Sequence, residues 1–249
     1  MNRAVRTEYR KYADRISADI PGAVYPLSVI EGIQSGDIYE DGGDLLIWHR
    51  CGFAFVTEGC GTQMLDFAYE LMTGSGDRRL VLLSDDTGVR TYFSGKSDIG
   101  IGTRLFFTYD AAGYKEPALP DGFTAEEINE DNIGRIRGRI TPAFSWDNDE
   151  FLAKGKGYCV MHGNDAVSWA FSAAISGNEL DIGVETSERY RGLGLAAAAA
   201  SKLISYALSH GRHPVWACHS ENASSRRTAL KLGFVKCAEC LTFGKLNSR

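Results

Sequence analysis

The sequence predicts an α/β (α+β) protein built in two parts, and three features carry that prediction. Aliphatic and aromatic runs with strand character alternate with helix-spaced segments along the chain. A break bearing two prolines and a glycine, YKEPALPDGF over residues 114–123, separates the apolar run RLFFTYD from the segments that follow. Beyond the break, the order is strand, glycine loop, helix, strand, helix, strand. The division is placed at 117/118, giving a smaller N-terminal α+β domain over 1–117 and a second domain over 118–249. No internal repeat is visible in the residues themselves.

In the first part, residues 37–40 and 44–55 read as strands, the second rich in aliphatic and aromatic side chains. Met64, Leu65, Ala68, Leu71 and Met72 recur at helical spacing. RRLVLLSDD, TYF and RLFFTY then read as strands. In the second part, AEEINEDNIGRIRG reads as a helix, and residues 157–162 and 166–174 as paired strands. Residues 179–185 form a further strand, residues 193–209 a helix, HPVWACH a strand, ASSRRTALKL a helix and VKCAECLTF a closing strand.

Composition narrows the function. Of 249 residues, 44% are apolar and 24% charged, as in ordinary globular proteins, and the net charge of -5 argues against a nucleic-acid partner. No stretch approaches the roughly 18 apolar residues that span a bilayer, so no membrane partner is expected. The polar start, MNRAVRTEYRKYADR, reads as a solvated face or a basic amphipathic helix. Six cysteines scattered among apolar neighbours read as reduced core thiols, and the expected location is the cytoplasm. Cys237-x-x-Cys240 lacks a second pair, and the His210, His213, Cys218 and His219 group straddles a helix end and a strand. No metal site is expected.

The richest segment is DIGVETSERYRGLGLAAAAASKL. A strand ends at Glu185, and the loop Arg189-Tyr190-Arg191-Gly192-Leu193-Gly194 enters an alanine-rich helix at Leu195. Glycines permit a sharp turn and close approach of the backbone to a ligand. Free N–H groups and the dipole at the helix N-terminus favour an anion such as pyrophosphate, with Arg189 and Arg191 adding charge-assisted bonds. GLGLAA also fits a dinucleotide fingerprint. That rival expects an acidic residue about 20 positions on, where VWACH stands instead.

Downstream lie Asn222-x-x-Ser225 and Ala229-x-Lys231-Leu232-Gly233-Phe234. With Arg189-x-x-Gly192-x-Gly194, this pair of motifs resembles the GNAT superfamily of N-acetyltransferases. FLAKGKGYCV, VSWAFSA, ELDIGVET, YRGLGLA and PVWACHSENASS are similar to the branch related to zwittermicin A resistance acetyltransferases, as is the region 25–60. The resemblance implies a mixed sheet splayed near residues 179–185 and acetyl-CoA as the acyl donor. Pantetheine would pair with Ile182, Gly183 and Val184, pyrophosphate would sit on Arg189–Leu195, and Asn222 and Ser225 would lie along the pantetheine arm. Asn222 also reads as an ordinary N-cap.

The implied reaction is direct attack of a small-molecule amine, an antibiotic or metabolite, on the thioester. A backbone N–H near Gly183–Val184 would hold the developing oxyanion. Glu179, Asp181 and Glu185 are candidate bases. An undistorted strand puts all three on one face, and a bulge would break that alignment. Glu179 lies nearest the family's catalytic glutamate, whereas Glu185 could instead shape the loop or bind substrate. Ala229 stands where many members carry a tyrosine acid, which keeps open a catalytically silent acyl-CoA-binding protein. Residues 1–117 could line the acceptor pocket or form a homodimer.

Overall fold

The computed structural model describes residues 1–110 and 117–246. Residues 114–116 of the expected break lie outside that set. Two compact units are present: Met1–Leu105 with the chain from Ala238 on, and Phe106–Cys237.

The first unit opens with β1 (Asn2–Arg3), a 3-10 helix over Arg6–Arg15 and α1 (Val24–Ile30). It continues through β2 (Gly36–Asp41), β3 (Asp44–His49), β4 (Phe53–Val56), α2 (Thr62–Thr73), β5 (Val81–Ser84), α3 (Thr87–Ser94) and β6 (Ile99–Tyr109). Strand alternation sends neighbouring side chains to opposite faces. Ile38, Leu45 and Ile47 pack with Tyr9, Tyr12, Val29 and Ile30. Leu46, Trp48 and Ala54 pack on a separate cluster with Met64, Leu65, Ala68, Met72 and Phe93. The N-terminal segment is therefore not solvated all round, since Tyr9 and Tyr12 anchor it.

The structure departs from the sequence expectation at three segments. Residues 44–55 form two strands because Gly52 turns the chain at φ +100, where a Cβ would meet the Arg79 carbonyl oxygen at 2.7 Å. TYF lies in α3, a helix opened by the Asp86 side chain, which accepts from the Gly88 and Val89 N–H groups. AEEINEDNIGRIRG is not one helix, and only Ile133–Arg135 within it forms a 3-10 turn. Thr124–Glu127 forms β7, paired antiparallel with β8 (Gly157–His162), so strand pairing overrides the local helix preference.

The second unit continues with α4 (Asn148–Lys154), β9 (Asp165–Ile175), β10 (Glu179–Thr186), α5 (Leu195–Ser209), β11 (His213–His219), α6 (Ala223–Lys231) and β12 (Phe234–Lys245). Its sheet runs β11-β10-β9-β8-β7, mixed as expected: β10 is antiparallel to β9 and parallel to β11. Helix α5 packs on these strands through Ala197–Ala200, all buried, and their small side chains bring its axis close to the sheet.

The two units repeat one order of elements. β2-β3-β4-α2-β5-α3-β6 matches β8-β9-β10-α5-β11-α6-β12, with three antiparallel strands and then a helix leading to a parallel strand. The final strands are exchanged. Phe106–Tyr109 of β6 belongs to the second unit, and Leu241–Gly244 of β12 pair with β5 in the first. The division expected at 117/118 thus differs from the compact units, because the chain's last strand completes the sheet of the first.

Candidate active site

The site begins where two parallel strands part. β10 and β11 pair only over Glu179–Asp181 with His213–Val215. From Ile182 to Thr186, the β10 edge away from β9 has no strand partner among the described residues. On the other edge, the β9–β10 ladder shifts register between Asp181, opposite Ala174, and Ile182, opposite Ser172. Gly183 pairs with Phe171, and a Cβ there would lie 2.8 Å from the Phe171 ring. That glycine lets the ring cross the strand.

Helix α5 points its N-terminus into this opening. Gly192 and Gly194 have φ values of +84 and +80, a region disfavoured for side-chain-bearing residues. Gly194 is the N-cap, brings no side chain to the turn, and accepts from the Ala198 N–H at 3.1 Å. The N–H groups of Leu195, Ala196 and Ala197 have no intrahelical acceptor, and the helix dipole adds positive potential.

A cavity of about 710 Å³ lies at this point. Of the residues expected from sequence, Val184, Glu185, Tyr190, Arg191, Gly192, Gly194, Leu195, Asn222 and Ser225 line it. Glu179, Ile182, Gly183, Arg189 and Leu193 do not. Ile182 is buried in the sheet, whereas Arg189 and Leu193 sit on the exposed side of the loop. Arg227 and Lys231 also line the cavity, as do Ser224 and Thr228. The i,i+4 spacing of each pair places its members on one helix face, which is the signal in the sequence that points to these four.

The polar groups are held in place. Asn222 Oδ1 accepts from the Ser225 N–H at 3.0 Å, so the capping role is filled. Ser225 Oγ accepts from the Trp216 indole N–H at 3.0 Å. Glu185 Oε2 accepts from the Ile140 N–H at 2.7 Å, and the Ile140 carbonyl accepts from the Trp169 indole at 2.7 Å. A Cβ on Gly138 would strike Glu185 and Trp169, so residues 138–140 pack directly on both. The Tyr190 hydroxyl reaches His162 Nδ1 at 3.3 Å, joining the loop to β8.

The three strand carboxylates do not form one group. Asp181 is buried, and burial first, then the Asp181 charge, raises the Glu179 carboxyl above its ordinary 4.5. Glu185 lies six residues along the strand, about 20 Å away, beyond the register shift.

The family model for GNAT acetyltransferases matches residues 27–242 of this chain. The chain belongs to the GNAT acetyltransferase family. It is 32% identical over 226 residues to the "Uncharacterized N-acetyltransferase YdfB" of Bacillus subtilis (strain 168), covering 86% of this chain and 82% of that one. In fold, it is similar to the GCN5-related N-acetyltransferase-like protein of Streptococcus suis 89/1591, with a TM-score of 0.78, 23% identity, and coverage of 97% and 100% of the two chains. It is also similar to a tandem GNAT protein from the clavulanic acid biosynthesis pathway, with a TM-score of 0.59, 12% identity, and coverage of 97% and 93%.

Ala229 is the position at which the resemblance expects a tyrosine. This residue is fully buried on α6, and no hydroxyl stands at that position. Cys237 is exposed and Cys240 buried, as expected for side chains on opposite faces of a strand. Among the described residues, no three His, Cys, Asp or Glu side chains gather as a metal site, and no helix is long and apolar enough to cross a membrane.

Proposed function

We propose that this protein transfers an acetyl group from acetyl-CoA to a primary amine of a small molecule. The supporting observation is the cavity at the α5 N-terminus, walled by Arg191, Arg227 and Lys231 beside the unpaired edge of β10. Free helix N–H groups and three cations suit a ligand rich in phosphate. The open edge suits an extended amide chain, which would add to Ile182, Gly183 and Val184 as a further strand does.

When bound, acetyl-CoA supplies an acetyl thioester activated for attack by an amine. Glu179 is the proposed base, taking the ammonium proton directly or through a water, and burial raises its carboxyl, which makes it a stronger base than an exposed carboxylate. Backbone N–H groups at Gly183–Val184 donate to the carbonyl oxygen as charge builds there. Glu185, fixed by the Ile140 N–H, holds residues 138–140 at the cavity wall. With Ala229 in place of a hydroxyl, the leaving thiolate departs without a side-chain acid, as thiolates do readily. The acceptor class is an antibiotic or metabolite amine, by likeness to the zwittermicin A resistance branch. The six cysteines, none of them in a disulfide among the described residues, support a cytoplasmic location.

Calorimetric titration with acetyl-CoA, coenzyme A and NADH tests the donor. Saturable binding of the first two alone is expected, followed by thiol release when an amine library is added. Failure of both coenzyme A species to bind overturns the reading. Binding without thiol release for any amine supports the second reading, a silent acyl-CoA sensor, which the buried Ala229 favours.

A further inference from the structure

The first unit carries a counterpart of this opening with its charge reversed. β4 and β5 run parallel through Phe53 with Val81 and Ala54 with Leu82, and then part. A cavity of about 670 Å³ lies at the parting, lined by Phe55 and Val56 from one strand and Leu83 and Ser84 from the other. Its wall differs from that of the cationic cavity: residues 14–21 and Cys240 close it, where the second unit uses the N-terminus of α5 and one face of α6.

Phosphate would be refused here. The turn into α2 has its N–H groups already bonded to carboxylates, Gly59 to Asp86 at 2.9 Å and Gly61 to Asp44 at 2.7 Å. The rim carries Asp14, Asp19, Glu58 and Asp85 in addition to Asp86. Arg15 is the one cation of the lining, and its guanidinium donates to the Gly43 carbonyl.

The floor is apolar. Ile16, Phe55 and Leu83 are buried there, together with Cys240, which is 4% exposed. Cys240 has no hydrogen-bond partner among the described residues, and burial pushes its thiol up to about 12, so the group facing the cavity is neutral. A metal ion does not fit this arrangement, because no three ligating side chains converge among the described residues. Carboxylates spread around a wide apolar pit suit a larger cation, with its body inside and its charge at the rim.

We propose that the cleft of the first unit binds an organic cation with an apolar body, such as an arylalkyl ammonium. The apolar part rests on Phe55, Leu83 and Cys240, and the ammonium sits among Asp14, Asp19, Glu58 and Asp85. Every residue of the site belongs to the first unit.

Benzyltrimethylammonium, which cannot be acetylated, is the probe, with benzyl alcohol as its neutral counterpart. Calorimetry should show saturable binding of the cation, with a dissociation constant at or below about 1 mM, that weakens as salt rises. The alcohol should bind at least tenfold more weakly. Combined Asp14→Asn, Asp19→Asn and Glu58→Gln changes, all at exposed positions, should cost at least tenfold in affinity while leaving acetyl-CoA binding unchanged. Absence of cation binding, equal binding of the alcohol, or full affinity in the triple variant would each overturn the proposal. The comparison of cation with alcohol uses the unaltered protein and so does not depend on the variant folding.

Discussion

In the second unit, the chain leaves β10 through Ser187–Gly194, two glycines turn it, and the N–H groups opening α5 face a cavity walled by arginine and lysine. In the first, it leaves β4 through the shorter Thr57–Gly61, and Asp44 and Asp86 occupy the N–H groups of that turn. The helix after the second parallel strand is capped by neutral Asn222 in one unit and by anionic Asp86 in the other. One backbone plan, a pair of parallel strands that part, therefore carries clefts of opposite charge. The opening comes from the strand topology, and its charge comes from a few side chains on the loop and the capping helix.

The comparison can be broken most sharply at the glycine turns. Gly192→Asp places a carboxylate where phosphate is expected and should weaken acetyl-CoA binding by about a hundredfold or more, read by calorimetry. Gly59→Asp, also at positive φ, should leave that affinity unchanged. Equal effects would mean that the turns are not functionally distinct.

Next in size, Glu179→Gln should lower kcat by about a hundredfold with little change in acetyl-CoA affinity. In the unaltered enzyme, the acidic limb of the rate profile should lie above the ordinary carboxylate range, because burial raises the Glu179 carboxyl and the base must be ionised. The variant should lose that limb. An unchanged profile would remove Glu179 from the reaction.

Arg227→Glu or Lys231→Glu should each cost about tenfold in acetyl-CoA affinity, more at low salt than at high. The smallest effects concern the caps. Asp86→Ala should cost about 2 kcal/mol of stability and Asn222→Ala about 1 kcal/mol, measured by denaturant unfolding. Bonds from Gly59, Val89 and Gly88 hold the Asp86 carboxyl below 3.8, so its contribution is present above that pH and is lost as pH falls through the folded value. Asn222 has no such charge, and its variant should show no matching acid dependence.

Much of the second unit was legible because its signals are local. Gly192 and Gly194 announce positive φ, the alanine run announces a close-packed helix, and Asn222-x-x-Ser225 announces a cap that the Ser225 N–H indeed uses. Arg227 and Lys231 were missed because spacing shows that they share a face but not where that face points. Burial of Ala229 and Leu232 on the other side decides it. TYF was misread because the capping signal of Asp86 was overlooked. AEEINED was misread because partner strands, and not its own residues, set its conformation.

By itself, the sequence determined the family resemblance, the glycine turn before α5 and most of the strands and helices after Gly157, since each depends on residues close together in the chain. The tertiary structure alone decided three further matters: that the two halves repeat one plan, that their last strands are exchanged, and that the two clefts carry opposite charge. Strand partners are chosen by pairing across long separations, and a cavity's charge is the sum of side chains that only folding brings together.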